Sequence, residues 1–351
     1  MNSRGKDENA IAPQIAAGSI EAGPQAGGLP DPSRIRGSEG VLPASGQALG
    51  AEPLKGLPQT VKIPKTGEVL RAGPHAGIRD IARRYVSSTG FDYNPSKIYA
   101  NVDPSRAQRI AHAYEQMQHS PSSPLVRASY DKMIEETMAQ YQHAKKHGFK
   151  AEFWDPEKEK DPYEHSPRYA IKDIQDNNHL YVFPTRFGFG TDPVSAEELR
   201  DNPLLADSGE RWNGQVVTMN DIFRAVHDYF GHAKEGVGFR ADGEENAWRS
   251  HAAMYSPLAR AAMTSETRGQ NSWLNFGPHG EKNRTARTED THFADQKIGL
   301  MPAWTMYEGA EDFTPEETIK EIHKVREGHG KASGGSAIDR ALHLASHLRK
   351  R

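Results

Sequence analysis

After about residue 76, apolar residues recur at helical spacing along most of the chain, interrupted by short alternating stretches and Gly/Pro-rich breaks. A helical region opens with "GIRDIARRYVSS". In "DPSRAQRIAHAYEQM", Asp103 is placed to cap a helix, Pro104 occupies its first position, and Ile110, Tyr114 and Met117 share one face. "SPLVRASYDKMIEETMAQYQHAKKHG" repeats the Ser-Pro opening, carries Val126, Tyr130, Met133, Thr137 and Tyr141 down one side, and stops at Gly148. With "HSPSS" between them, the two segments predict an antiparallel helical hairpin.

"FKAEFW" and "HLYVFPT" read as short strands. "RFGFGTDPVSAEE" is a Gly-rich loop leading to a turn of helix capped by Ser195, without the spacing of a phosphate-binding loop. "MNDIFRAVHDYFGH" is helical, with Ile222, Phe223, Val226, Tyr229 and Phe230 on its buried side. "GEENAWRSHAAMYSPLARAAMTSETRGQ" predicts two helices broken at Pro257, the second capped by Ser256. Residues 270–295 are polar and loop-like, too long for a featureless connection, so they are functional or hold further elements. A helix starting at Thr314-Pro315, with Ile319, Ile322 and Val325 along it, and a last short helix capped by Ser336 complete the chain.

Composition divides this pattern. Residues 1–60 hold 17 Gly and Pro and no Phe, Tyr or Trp, too few large side chains to offset the entropy of ordering the chain. We therefore expect a disordered leader over 1–75, a helical hairpin region over 76–150, the main domain over 151–310, where all five Trp lie, and a helical tail over 311–351. The fold class that follows is mainly α, a compact α-rich domain with a small β element. The absence of cysteine excludes disulfides and cysteine-ligated metal sites. A net charge of −3 with both signs interspersed gives no footprint for nucleic acid, and the closing "LRKR" suits a helix C-terminus. No stretch has the length of a membrane span or the apolar core of a signal peptide. The expectation is a soluble protein, cytoplasmic or delivered into a host cell.

The chemistry concentrates in "HDYFGH", residues 227–232. His227 lies between Phe223 and Phe230 on the apolar side, so its imidazole is expected to point inward. His232 follows five residues later, which on an ideal helix leaves the two side chains ~140° apart. They share a metal only if the helix unwinds at Gly231 or carries a π turn. Two histidines need a third ligand, and the candidates are Glu244 and Glu245 in "GEENAW", His251 in "WRSHAAM", and Glu266 at the end of an apolar helical face. Two histidines and a carboxylate with open positions suit ferrous iron and oxygen chemistry; with one bound water they suit hydrolytic zinc.

"HDYFGH" resembles the His-x-x-x-Gly-His iron motif of the pterin-dependent aromatic amino acid hydroxylases, and "TSETRG" (264–269) resembles their Thr-x-Glu-aromatic-Gly stretch. The resemblance spans about 45 residues and implies His227, His232 and Glu266 as iron ligands. It departs from the family in lacking the Pro-Glu-Pro-Asp stretch before the first histidine, where "TMNDIFRAV" stands, and in offering no pterin-binding segment, so a pterin is not supported. The stretch also resembles segments of large uncharacterised proteins of phages and other mobile elements, and the leader would suit an effector secreted without a cleaved signal.

The leading expectation is a mononuclear non-haem iron enzyme, most simply an oxygenase, holding Fe(II) through His227, His232 and Glu266. Asp228 and Glu244 are the candidate catalytic carboxylates. His251 is a candidate ligand or partner of one, and Asp221 and Asp228 could orient the imidazoles from behind. Arg240, Arg268, Gln270, Asn271 and Trp273 are candidates for lining a substrate pocket, the substrate being a small molecule or a protein side chain. A zinc-dependent hydrolase uses the same ligands, with Glu244 or Asp228 as general base. A non-catalytic interaction protein of phage or effector type would have no metal at all.

Overall fold

The structure, a computed structural model, describes residues 52–91, 93, 95–188, 201–286 and 290–307. The expectations for residues 1–51, for the turn at Ser195 and for the helices at Thr314 and Ser336 lie outside the described residues. The fold is mainly α, with small β elements: among the described residues the strands form three two-stranded sheets. In chain order the elements are β1 (Thr60–Lys62), β2 (Val69–Arg71), α1 (Ala76–Thr89), α2 (Pro104–Gln116), α3 (Pro124–Lys146), β3 (Lys150–Phe153), α4 (Arg168–Asn177), β4 (His179–Val182) and α5 (Thr185–Gly188). They continue with β5 (Asp207–Trp212), β6 (Gln215–Thr218), α6 (Met219–His227), π1 (Asp228–Ala233), α7 (Ala241–Ala252), α8 (Pro257–Thr264), π2 (Ser265–Gly269), α9 (Gln270–Phe276) and α10 (Gly280–Asn283). No helix among the described residues is long and apolar enough to cross a membrane.

Most capping signals act as expected. Asp103 accepts from Ser105 N at 2.9 Å to start α2, and Ser256 caps α8 ahead of Pro257. The apolar stripes are buried too: Tyr130, Met133 and Thr137 on α3, and Ile222, Phe223, Val226, Tyr229 and Phe230 on α6 and π1, are at most 1 % exposed. The two helices of the expected hairpin follow one another as read but take different partners. α2 lies on α9 and π2, its apolar face in a smaller cluster with Trp273, Ala294 and Met301, whereas α3 lies on α6 and α8 in the main core.

One stretch differs from expectation, and two more hold elements that the sequence reading left unassigned. Residues 52–75 are ordered: β1 pairs antiparallel with β2, and Leu54 and Leu57 pack with Val237 and Ala247, borrowing a core from distant residues in place of aromatics of their own. Residues 207–218 form an antiparallel hairpin, β5–β6, that turns at Asn213-Gly214, both with positive φ (51° and 76°). Asn-Gly is the sequence signal for such a turn. Residues 270–295 contain α9 and α10, and the Asn283 side chain ties them together, donating to Leu274 O and His292 O and accepting from His292 N. The strands at "FKAEFW" and "HLYVFPT" are β3 and β4, paired in parallel.

Two long helices, each interrupted by a π segment, frame the helix α7. α6 runs into π1 without a break, and α8 runs through π2 into α9. α7 lies between them, touching both π segments.

Candidate metal centre

The site is built where π1 meets the first turn of α7. Thr218 starts α6 with a capping box: its hydroxyl accepts from Asp221 N, and Asp221 accepts from Thr218 N at 2.9 Å. The other Asp221 oxygen accepts from Thr185 N at 2.8 Å, so Asp221 fixes the helix start and does not reach the imidazoles. At His227 the α-helical ladder gives way to π1, whose end is marked by Lys234 N–H bonding Tyr229 O, five residues back. In an i→i+5 turn the fifth residue returns above the first, and this brings His232 over His227. Their ring centroids are 5.1 Å apart at an interplanar angle of 85°.

Glycines allow the third element in. At Gly231 a Cβ would lie 3.1 Å from Ala247 O and 3.2 Å from His227 Cε1, so α7 passes directly against this residue. At Gly243 a Cβ would lie 1.8 Å from Gly238 O, which lets the first turn of α7 close on the loop after π1. Asn246 and Asp242 tether that turn from outside, by the paired bonds of Asn246 with Ala100 and by Val102 N donating to Asp242 Oδ1. Gly231→Ala is therefore expected to push α7 outward by a few tenths of an ångström, costing about 1–3 kcal/mol of stability as overpacking does. It is also expected to weaken metal binding. Urea unfolding and a metal titration measure the two effects, and an unchanged titration would mean that α7 does not hold a ligand.

Glu244, in that first turn, is the carboxylate that stands with the histidines. Its Oε2 is 3.4 Å from His232 Nε2 and 3.9 Å from His227 Nε2, and one donor atom from each residue falls within 4.8 Å of the others. All three residues are buried. His227 Nε2, His232 Nε2 and Glu244 Oε1 have no hydrogen-bond partner among the described residues, and such orphans are rare in a dry interior. Metal bonds of about 2.0–2.2 Å put neighbouring donors about 3–3.5 Å apart, so an ion fits with small inward movements. Behind the donors, His232 Nδ1 meets Val237 O at 3.2 Å and His227 Nδ1 meets His251 Nδ1 at 3.1 Å. Phe239 stacks on the His232 ring at 4.1 Å.

Burial lowers the pKa of His227 and His232, so both are neutral, as ligands must be. Burial raises the Glu244 carboxyl to about 8, while His227 holds it down. Asp228, partly exposed beside His232 and Arg224, is also raised by burial.

Glu266 stands elsewhere. It is 1 % exposed, as its apolar face foretells, but it accepts from the Tyr130 hydroxyl and from Gln270 Nε2 at 2.8 Å, and it is not one of the three clustered donors. The other expected pocket residues are dispersed. Arg268 is buried, bonded to Glu245 and Thr305 O and lying 3.9 Å from the Trp248 ring. Asn271 accepts from Asn275 along α9, and Arg240 is an exposed residue at the start of α7. Trp273 donates to Glu115 and lines a cavity of about 230 Å³ with Tyr114, His279, His292 and Lys297, none of them a donor of the metal group. His251 alone of this set touches a clustered histidine. Gln140 on α3, 2.9 Å from His251 Nε2, has no local sequence signal.

No protein-family model, curated protein or solved structure matches the chain.

Proposed function

We propose that His227, His232 and Glu244 hold one divalent metal and that the protein is a mononuclear non-haem iron enzyme of the oxygenase type. The observation that carries this reading is the convergence of three buried donors, with the partnerless Nε2 atoms of His227 and His232 lying 3.9 Å and 3.4 Å from Glu244 Oε2. Ferrous iron held by two histidines and one carboxylate keeps positions open and supplies O2 activation. The chain's own residues supply the rest. Glu244 and the two Nε2 atoms bind on one side, the aromatic rings of Phe223 and Phe239 exclude water around the imidazoles, and Asp228 offers a carboxyl beside His232 to take or give a proton.

A second reading keeps the ligands with zinc and makes Asp228 the base for a hydrolysis. It is favoured by that same partly exposed carboxyl beside the group. Full-length protein reconstituted anaerobically with Fe(II), then assayed for metal by mass spectrometry and for O2 consumption, separates the two. About one iron with O2 uptake is expected. Retention of zinc alone would move the assignment to the hydrolase, and no stoichiometric metal would remove both readings.

A further inference from the structure

The two clustered histidines reach the same chemical state by different routes, and the route behind His227 runs through residues outside the metal group. Gln140 Nε2 donates to Met254 O at 3.4 Å. A carbonyl can only accept, so the Gln140 amide is oriented with its NH2 toward Met254 and its Oε1 toward α7. That Oε1 is 2.9 Å from His251 Nε2, which must therefore carry the proton. A neutral imidazole has one N–H, so His251 Nδ1 presents a lone pair. It lies 3.1 Å from His227 Nδ1, which must be the protonated nitrogen of that ring. His227 Nε2 is left with a lone pair facing His232 and Glu244. Gln140 and His251 are both fully buried, so water does not substitute for either partner. His232 arrives at the same tautomer directly, its Nδ1–H donating to Val237 O.

We infer that His251 and Gln140 are positioning residues for the metal group: the chain Met254 C=O, Gln140, His251, His227 locks His227 with its Nε2 lone pair aimed at the ion. This deepens the metal reading above and rests on it for its consequence, although the proton order itself does not. Phe223, with ring centroids 6.2 Å from His227 and 6.3 Å from His251 and nearly parallel to both, keeps the two imidazoles in place. Burial first, and then nearby charge, keeps a second proton off His251, and the Lys234 side chain beside it is held by bonds to Ser250 O at 3.2 Å and to the Tyr93 hydroxyl at 3.0 Å. Without an acceptor at position 251, His227 has no partner for Nδ1–H in a dry core, and the other tautomer blocks the ligating nitrogen.

The test uses the full chain. Nitrogen-15 NMR of histidine-labelled, metal-free protein reads the tautomers: His251 as Nε2–H, His227 and His232 as Nδ1–H. His251 as Nδ1–H would overturn the inference whether or not a metal binds. Co(II) titration, followed by visible absorption, then compares His251→Asn with His251→Leu. The two side chains are close in size, but only Asn keeps an acceptor, Oδ1, near the place of Nδ1. His251→Leu is expected to lose about 10–100-fold in affinity, as loss of a group behind a metal ligand typically does, and His251→Asn to lose less than about threefold. Equal losses would mean that His251 acts only by filling space, and no loss in either would mean that it does not position His227; both overturn the inference. If the wild type takes up no cobalt, the proposed function falls while the tautomers still decide the relay.

Discussion

Glu244→Gln is expected to strip the protein of its metal, and Glu266→Gln to leave it bound. The first substitution replaces a buried carboxylate oxygen, 3.4 Å and 3.9 Å from the two imidazole nitrogens, by a neutral amide at nearly the same place. The charge that balances a divalent ion is lost with one of three donors, and affinity should fall by more than about 100-fold, beyond what is typical for groups behind the ligands. Folding should survive. Glu244 is raised to about 8 by burial, so in the metal-free protein at neutral pH it is already largely uncharged, and a neutral amide suits the same cavity. Glu266→Gln alters a carboxyl engaged by Tyr130 and Gln270 and should leave the titration within about threefold of wild type. Co(II) titration of both variants decides between the two carboxylates. Loss of binding in Glu266→Gln with retention in Glu244→Gln would return the third ligand to the position implied by the hydroxylase-like motif.

How far such a site is legible in a sequence depends on how local its determinants are. The inward position of His227 follows from Phe223 and Phe230 around it. The condition for His232 to join it, either unwinding at Gly231 or a π turn, follows from five-residue spacing alone, and the helix meets it with a π segment over Asp228–Ala233. The third carboxylate is a different problem. Glu244 and Glu266 both sit on buried faces, and periodicity predicts burial without saying what is met there. That depends on where α7 runs, which is set by the close approach of Gly243 to Gly238 and of Gly231 to Ala247, and by tethers to residues 100–102. None of these pairings has a sequence period. Gln140, 111 positions before His251, is farther still from any local signal. The order of the segment after residue 52 is hidden for the same reason, since Leu54 and Leu57 find their core in Val237 and Ala247.

Glu266 carries the second large expectation, its own contribution to the pH dependence of stability. Its carboxyl is raised to about 7 from an ordinary 4.5, chiefly by burial, with the bonds from Tyr130 and Gln270 offsetting part of that rise. A group whose folded pKa lies above its unfolded one binds the proton more tightly when folded. Between about pH 4.5 and 7 the folded chain therefore holds a proton that the unfolded chain has released, and stability falls as pH rises through that window. At about 1.36 kcal/mol for each unit of difference, the loss from this one residue is about 3 kcal/mol, complete above pH 7. The amide introduced by Glu266→Gln does not titrate, can still accept from Tyr130, and finds an acceptor if the Gln270 amide turns over. Glu266→Gln should thus match wild type within about 1 kcal/mol at pH 4.5 and exceed it by about 3 kcal/mol at pH 8, because groups such as Glu136 that also titrate are common to both proteins. Urea unfolding of the two metal-free proteins across pH 4.5–8 gives the difference directly. A difference that stays constant with pH would mean that Glu266 is ionised in the folded protein at ordinary pH. Its environment would then contain a cation that the contacts of Tyr130 and Gln270 do not supply.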